Sequence, residues 1–233
     1  MAGLDKKSLS ERDICTKFIT PAVEQAGWDV LSQIREEVYF TKGRIIVRGK
    51  LVTRGKAKRA DYILYYKTNI PIALIEAKDN SYAVGGGMQQ ALEYATPLDI
   101  PFVFSSNGDA FLFHDRTGQG GKLETDLSLD AFPAPEKLWQ RYLTWKGLAS
   151  WQEEVVLQNY HDNVSGKEPR YYQRIAINKT IEAIAKGQDR ILLVMATGTG
   201  KTYAYLVPAM LWGGKVILST GTKNLQDQLF LRD

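Results

Sequence analysis

Residues 60–79 read ADYILYYKTNIPIALIEAKD, two runs of Ile, Leu, Ala and Tyr broken at Lys67-Thr68-Asn69. Apolar, β-branched and aromatic residues at this density, bounded by turn formers, predict two strands, Asp61 to Tyr66 and Pro71 to Ala77. Charge sits at their open ends: Asp61 starts the first, and Glu76 and Lys78 close the second with one residue between them. Side chains alternate along a strand, so Glu76 and Lys78 share a face while Ala77 points the other way. Antiparallel pairing through the Lys67 to Ile70 turn then sets Asp61 beside Glu76 and Lys78.

Two carboxylates and a lysine at one sheet edge are what Mg²⁺-dependent phosphodiester cleavage needs. Asp61, Glu76 and the Ala77 carbonyl can supply oxygen ligands to Mg²⁺, which otherwise keeps its waters and a substrate phosphate oxygen. Lys78 can orient water or stabilise developing charge. The competing reading is a charged strand end, and the Asp...Glu-x-Lys spacing alone does not separate the two.

The elements around this hairpin set the fold class. SLSERDICTKFITPAVEQAGW reads as a helix entered from Ser8 or Ser10, with Pro21 kinking or restarting it. Short strands follow at Val38 to Phe40 and Arg44 to Val52. After the hairpin, VGGGM leads into a helix over MQQALEYATPL, and PFVFSSNGDAFLFHD predicts two strands around an Asn107-Gly108-Asp109 turn. Thr117 to Pro135 has loop composition, and Leu138 to Leu157 resumes as helix. The sequence predicts an α/β fold, a sheet covered on both faces by helices.

With 44% hydrophobic and 24% charged residues the chain has the make-up of a folded protein, with no apolar run of membrane-spanning or signal-peptide length. A cytoplasmic location with no membrane partner is expected. One cysteine, Cys15, and two histidines, His114 and His161, leave no material for disulfides or a zinc cluster, so any metal must be held by oxygen. The net charge of +4 is uneven. Thr41 to Ala60 carries Lys42, Arg44, Arg48, Lys50, Arg54, Lys56, Lys58 and Arg59 with no acidic residue. Such a run fits phosphate-backbone contact with a polyanionic partner, and equally a solvated surface hairpin. The DNA candidates are Arg44, Arg48, Arg54, Lys56, Lys58 and Arg59.

HDNVSGKEPR has the composition of a linker, and a new pattern follows it. The expected order is helix Tyr171 to Ala185, strand Ile191 to Met195, glycine-containing turn, helix Lys201 to Leu211, strand Lys215 to Ser219 and a helix from Lys223. ILLVMATGTGKTYAYL sets a strand before a turn and a helix start, the context of a phosphate loop for ATP. Amides over Thr197, Gly198, Thr199 and Gly200 would cradle phosphates, Lys201 would reach the β and γ oxygens, and the Thr202 hydroxyl would hold Mg²⁺.

MATGTGKT resembles the phosphate loop of superfamily 2 helicases and translocases, although Met195 stands where the common pattern has glycine. PRYYQRIAI resembles their adenine-recognition motif, which assigns Gln173 to the adenine edge with Arg170 or Tyr172 nearby; Tyr171, Tyr172 and Ile175 also suit the core face of a helix, and both readings can hold together. VILSTGTKNLQDQ resembles the next motif, a contact to DNA. No Asp-Glu-x-His box follows Thr202, so the chain is expected to bind nucleotide without turning it over and to be the start of a longer motor protein.

RADYILYY with IPIALIEAKD resembles the PD-(D/E)xK nuclease core, with Ala60 where the family name has proline. QQALEYA resembles the Gln-x-x-x-Tyr helix of type I restriction enzymes, which implies that Gln90 and Tyr94 support the catalytic set Asp61, Glu76 and Lys78. Glu11 is the matching acidic residue of the first helix. The order of these motifs is similar to that of the restriction (motor) subunit of type I restriction-modification enzymes. The resemblance implies a restriction-endonuclease-like mixed sheet flanked by helices over residues 1–145, a helical connection and linker over 146–169, and an incomplete RecA-like parallel α/β ATPase domain over 170–233. It further implies ATP-driven translocation, duplex cleavage, and assembly with modification and specificity subunits. Two other classes fit parts of the pattern: a helicase or translocase whose nuclease-like domain only grips DNA, and a non-enzymatic docking module.

Overall fold

A computed structural model describes residues 5–41, 45–48, 51–54, 57–160, 169–195 and 201–216. The chain divides into two compact units, residues 1–150 and 151–233.

The first unit opens with a helix built in three pieces, α1 (Glu11–Ile14), a π-helical turn (Cys15–Ile19) and α2 (Thr20–Gln25). Ser10 and Asp13 exchange hydrogen bonds in a capping box, satisfying two amides that a helix start leaves open. Pro21 lies in the first turn of α2, directly after the π-helical turn, and the backbone stays helical through this junction, so the proline marks the change of helix type without ending the helix. Ile14, Ile19 and Val23 are buried.

Six strands form one sheet, β1 (Ile34–Thr41), β4 (Ala57–Lys67), β5 (Ile70–Ala77), β6 (Phe102–Ser106), β7 (Ala110–Asp115) and β8 (Glu124–Ser128), hydrogen-bonded in that order. Strands β2 (Ile45–Arg48) and β3 (Leu51–Arg54) pair with each other as a separate hairpin. Among the described strands only β5 and β6 run parallel, and the crossover that parallel pairing requires carries α3 (Met88–Leu98). The mixed α/β sheet read from the sequence is the one observed. The central strands are buried on both sides, since Ala60 to Tyr65 and Ile72 to Ala77 are all buried, which is why they read as near-continuous apolar runs.

Helix α4 (Pro135–Lys146) starts at a proline and stops at Gly147, whose φ of 61° a glycine adopts without strain. Its Trp139 is fully buried and stacks on Tyr66 with ring centroids 4.4 Å apart. Phe104 stacks on Phe113 and touches Phe111 and Phe132, closing the core at the β6–β7 end.

Three expectations need correction. The loop expected over Thr117 to Pro135 contains β8, an edge strand whose residues are exposed except for half-buried Leu127, so no apolar alternation marked it. The helix expected over Leu138 to Leu157 breaks at Gly147, and Glu153–Val156 forms a separate turn of helix, α5. Ile191 to Met195 forms no strand. A parallel strand needs a hydrogen-bonded neighbour, no strand occurs among the described residues of the second unit, and Leu192 is 88% exposed. That unit instead shows α6 (Tyr171–Ala185) and α7 (Lys201–Trp212). The expected strand from Lys215 lies beyond the described residues after Val216, as does the helix from Lys223. No described helix is long and apolar enough to cross a membrane.

Candidate active site

The β4–β5 hairpin turns at Thr68-Asn69, and its register sets Tyr62 opposite Ile75, so the next step brings Asp61 to Glu76. Asp61 Oδ2 accepts the Ala77 N–H at 2.8 Å, a bond that ties the carboxylate to the end of β5. The sequence assigned only a carbonyl to Ala77; its amide is equally involved, and no residue pattern could have shown it. Lys78 continues the pairing with β6 by donating its N–H to the Ser106 carbonyl at 2.9 Å. Its Nζ lies 3.3 Å from Glu76 Oε1 and 3.8 Å from Glu11 Oε2.

Helix α3 supplies the next layer. Gln90 donates to Glu76 Oε1 and, through the same nitrogen, to the Tyr94 hydroxyl at 3.1 Å. The four-residue spacing puts both side chains on one helical face. The approach is close because Gly87 precedes the helix: a Cβ there would stand 3.0 Å from Glu76 Cγ and 3.0 Å from Ser105 Oγ. Asp61, Glu76, Ala77, Lys78, Gln90, Tyr94 and Glu11, proposed from four separate stretches, thus meet at one end of the sheet.

The electrostatics is that of an overcharged, dry site. Burial pushes the Glu76 carboxyl up to about 8, the neighbouring Asp61 charge adds to this, and Lys78 opposes it. Burial also raises Asp61, against the lowering pull of the Ala77 N–H, Lys78 and Arg59. Burial works to lower Lys78, but Glu76, Glu11 and Asp61 outweigh it and hold the ammonium above its ordinary value. Glu76 Oε2 is buried with no hydrogen-bond partner. An unpaired buried carboxylate oxygen is costly and calls for a cation or proton. Among the described residues no group of three or more His, Cys, Asp or Glu is placed to cage a metal. Two carboxylates and a carbonyl suit Mg²⁺, which binds through few protein oxygens and keeps its waters. Burial pushes the Cys15 thiol up to about 11, which disfavours the thiolate.

One feature next to Asp61 was invisible in the sequence. The β1–β4 register passes from Glu36 opposite Tyr62 to Val38 opposite Ala60, leaving Glu37 facing Asp61 with a φ of 51°. A non-glycine residue in this region costs about 1–2 kcal/mol. Glu37 pairs with Arg12 at 3.0 Å and Arg59 at 3.5 Å, and Arg59 also lies 3.9 Å from Asp61 Oδ1. These groups flank a cavity of about 60 Å³.

Of the basic candidates, Arg44 and Lys56 lie outside the described residues, and Arg48 and Arg54 end β2 and β3. Lys58 pairs with Glu93 of α3 at 2.5 Å and sits over the Tyr94 ring, so it borders the site. In the second unit Thr197 to Gly200 are outside the described residues, while Lys201 and Thr202 begin α7. Gln173 Oε1 accepts the Arg170 N–H at 2.9 Å, and the Arg170 guanidinium donates to the Tyr172 hydroxyl at 2.7 Å.

Comparison with known proteins bears on both units. The family "Type I restriction enzyme R protein N terminus" matches residues 45–122, and "Type III restriction enzyme, res subunit" matches residues 166–229. The EcoAI endonuclease subunit of a type I restriction enzyme from Escherichia coli is 52% identical over 100% of this chain, which covers 28% of that protein. The ATP-dependent DNA helicase YoaA of Escherichia coli K12 is 51% identical over 70 residues, 30% of this chain and 11% of YoaA. A solved fragment of an HsdR subunit from Vibrio vulnificus YJ016 matches with a TM-score of 0.74 and 39% identity, over 87% of this chain and 38% of that one. The first unit has a restriction-endonuclease-like fold. In sequence and fold the chain matches the N-terminal part of the endonuclease subunit of type I restriction enzymes, and it spans about a quarter of the length of the EcoAI subunit.

Proposed function

We propose that the sheet edge at Asp61, Glu76 and Lys78 is a Mg²⁺-dependent nuclease centre of the PD-(D/E)xK kind that cuts double-stranded DNA. In the complete subunit this cleavage is coupled to ATP-driven translocation. The observation that carries the reading is the unpaired, buried Oε2 of Glu76 beside Asp61 and Lys78.

Asp61, Glu76 and the Ala77 carbonyl would hold Mg²⁺, which when bound neutralises phosphate charge and acidifies water. The Ala77 amide fixes Asp61, and Gln90, itself against Tyr94, fixes Glu76, so both ligands are set before substrate arrives. Lys78, kept charged by the carboxylates around it, stands ready to orient the attacking water or meet the charge growing on the phosphate. Lys58 and Arg59, at the start of β4, border the same edge and would contact the DNA backbone.

The second unit would bind ATP through Lys201, Thr202 and the residues before them, with Gln173 at the adenine. Modification and specificity subunits would supply sequence recognition.

The test is a supercoiled plasmid carrying the recognition site, incubated with ATP and the assembled full-length complex. Cleavage is expected in Mg²⁺, absent in EDTA, and lost in Asp61→Ala. Lys201→Ala should abolish ATP hydrolysis. Undiminished cleavage by Asp61→Ala would remove the assignment.

A further inference from the structure

We infer that Glu37 is a positioning residue for DNA, holding Arg12 and Arg59 as a two-guanidinium clamp for a backbone phosphate next to Asp61. The inference rests on the nuclease reading above.

Glu37 occupies a left-handed backbone position in the middle of β1, where asparagine or glycine would sit more easily. It does so at the register step facing Asp61. Its Oε1 accepts Arg12 NH1 from α1 and approaches Arg59 NH1 from β4, joining cations of two separate elements. Stability does not account for this. The side chains of Arg12, Glu37 and Arg59 are 79%, 46% and 42% exposed, and ion pairs so open to water contribute little. A strained residue whose contacts add little to the fold points to a role in substrate handling.

Glu37 engages one nitrogen of each guanidinium, and a guanidinium carries five N–H donors arranged in a fork that matches phosphate oxygens. The neighbouring cavity is unsuited to an anion, since in its lining the carboxylates of Glu11, Glu36, Glu37 and Asp61 outnumber the cations of Arg12 and Arg59. The phosphate therefore belongs at the exposed rim, where Arg12 and Arg59 face water. Arg59 lies 3.9 Å from Asp61, so a strand held there passes beside the carboxylate proposed to hold Mg²⁺.

Glu37→Gly in the assembled full-length enzyme removes the carboxylate and accepts the positive φ. Its melting temperature should equal or exceed that of the wild type, while single-turnover plasmid cleavage at physiological salt falls roughly tenfold. The loss should shrink at low salt, with a salt slope for DNA smaller by about one. Glu37→Gln, which keeps an acceptor for Arg12, should lie between. Simple charge removal near DNA predicts the opposite, tighter binding and faster cleavage. An unchanged or faster Glu37→Gly enzyme therefore overturns the inference and leaves the nuclease reading standing. A wild-type enzyme that does not cleave in Mg²⁺ removes both.

Discussion

Lys78→Ala in the assembled full-length enzyme is expected to lower plasmid cleavage about a thousandfold while duplex affinity stays within a few-fold. The separation follows from where the ammonium lies. Its side chain is only 17% exposed and sits 3.3 Å from Glu76, inside the site and away from the open surface proposed to meet backbone phosphates. The change should appear in the cleavage step and leave DNA binding almost untouched. Lys78→Arg restores the charge but not the reaction, because a planar guanidinium cannot take the place of a compact ammonium between Glu76 and Glu11. Quench-flow cleavage of plasmid, with binding measured separately, checks this. A Lys78→Ala enzyme that cuts within tenfold of wild type would leave the lysine as a structural counter-ion.

Glu76→Gln is expected to stabilise the metal-free protein at alkaline pH while destroying its response to Mg²⁺. The sign follows from the raised carboxyl. In the fold Glu76 titrates near 8, against an ordinary value of 4.5. A group raised in this way contributes stability that is complete below its unfolded value and is lost as pH climbs through the folded one. Wild type should therefore weaken between about pH 4.5 and 8, by an amount on the order of a few kcal/mol, and stay weakened above. Glutamine keeps the shape and an acceptor for Gln90 and Lys78 without the charge. In EDTA at pH 8.5 its melting temperature should exceed wild type by on the order of 5–10 °C, and the two should converge near pH 5. Mg²⁺ should raise the melting temperature of wild type and leave the variant unmoved. Equal melting temperatures for both proteins across that range would mean that Glu76 carries no unmet charge.

The strands of the β4–β5 hairpin could be read with little information because burial on both faces leaves an almost unbroken apolar run, although β4 begins four residues before Asp61, at Ala57, where the chain is basic and pairs with β1. Helix α3 was equally plain, and the Gln90 to Tyr94 spacing placed two polar groups on one face before any partner was known. Strand β8 could not be read, because an exposed edge strand draws its order from its neighbour's hydrogen bonds and shows no hydrophobic period. Ile191 to Met195 had the composition of a strand, but composition supplies no pairing partner.

By itself, then, the sequence determined the α/β class and set Asp61 beside Glu76 and Lys78, since alternation along a strand is a local property of the chain; the mixed sheet and the roles of Glu11, Gln90 and Tyr94 came from the family resemblance. The tertiary structure alone decided how those residues engage. It set the Ala77 amide on Asp61, drew Gly87 against Glu76 and left Glu76 Oε2 without a partner. It also turned Glu37 out of the β1 ladder to face Asp61 and gather Arg12 and Arg59. Each of these depends on how elements distant in sequence approach one another, and desolvation and strain arise only from that approach.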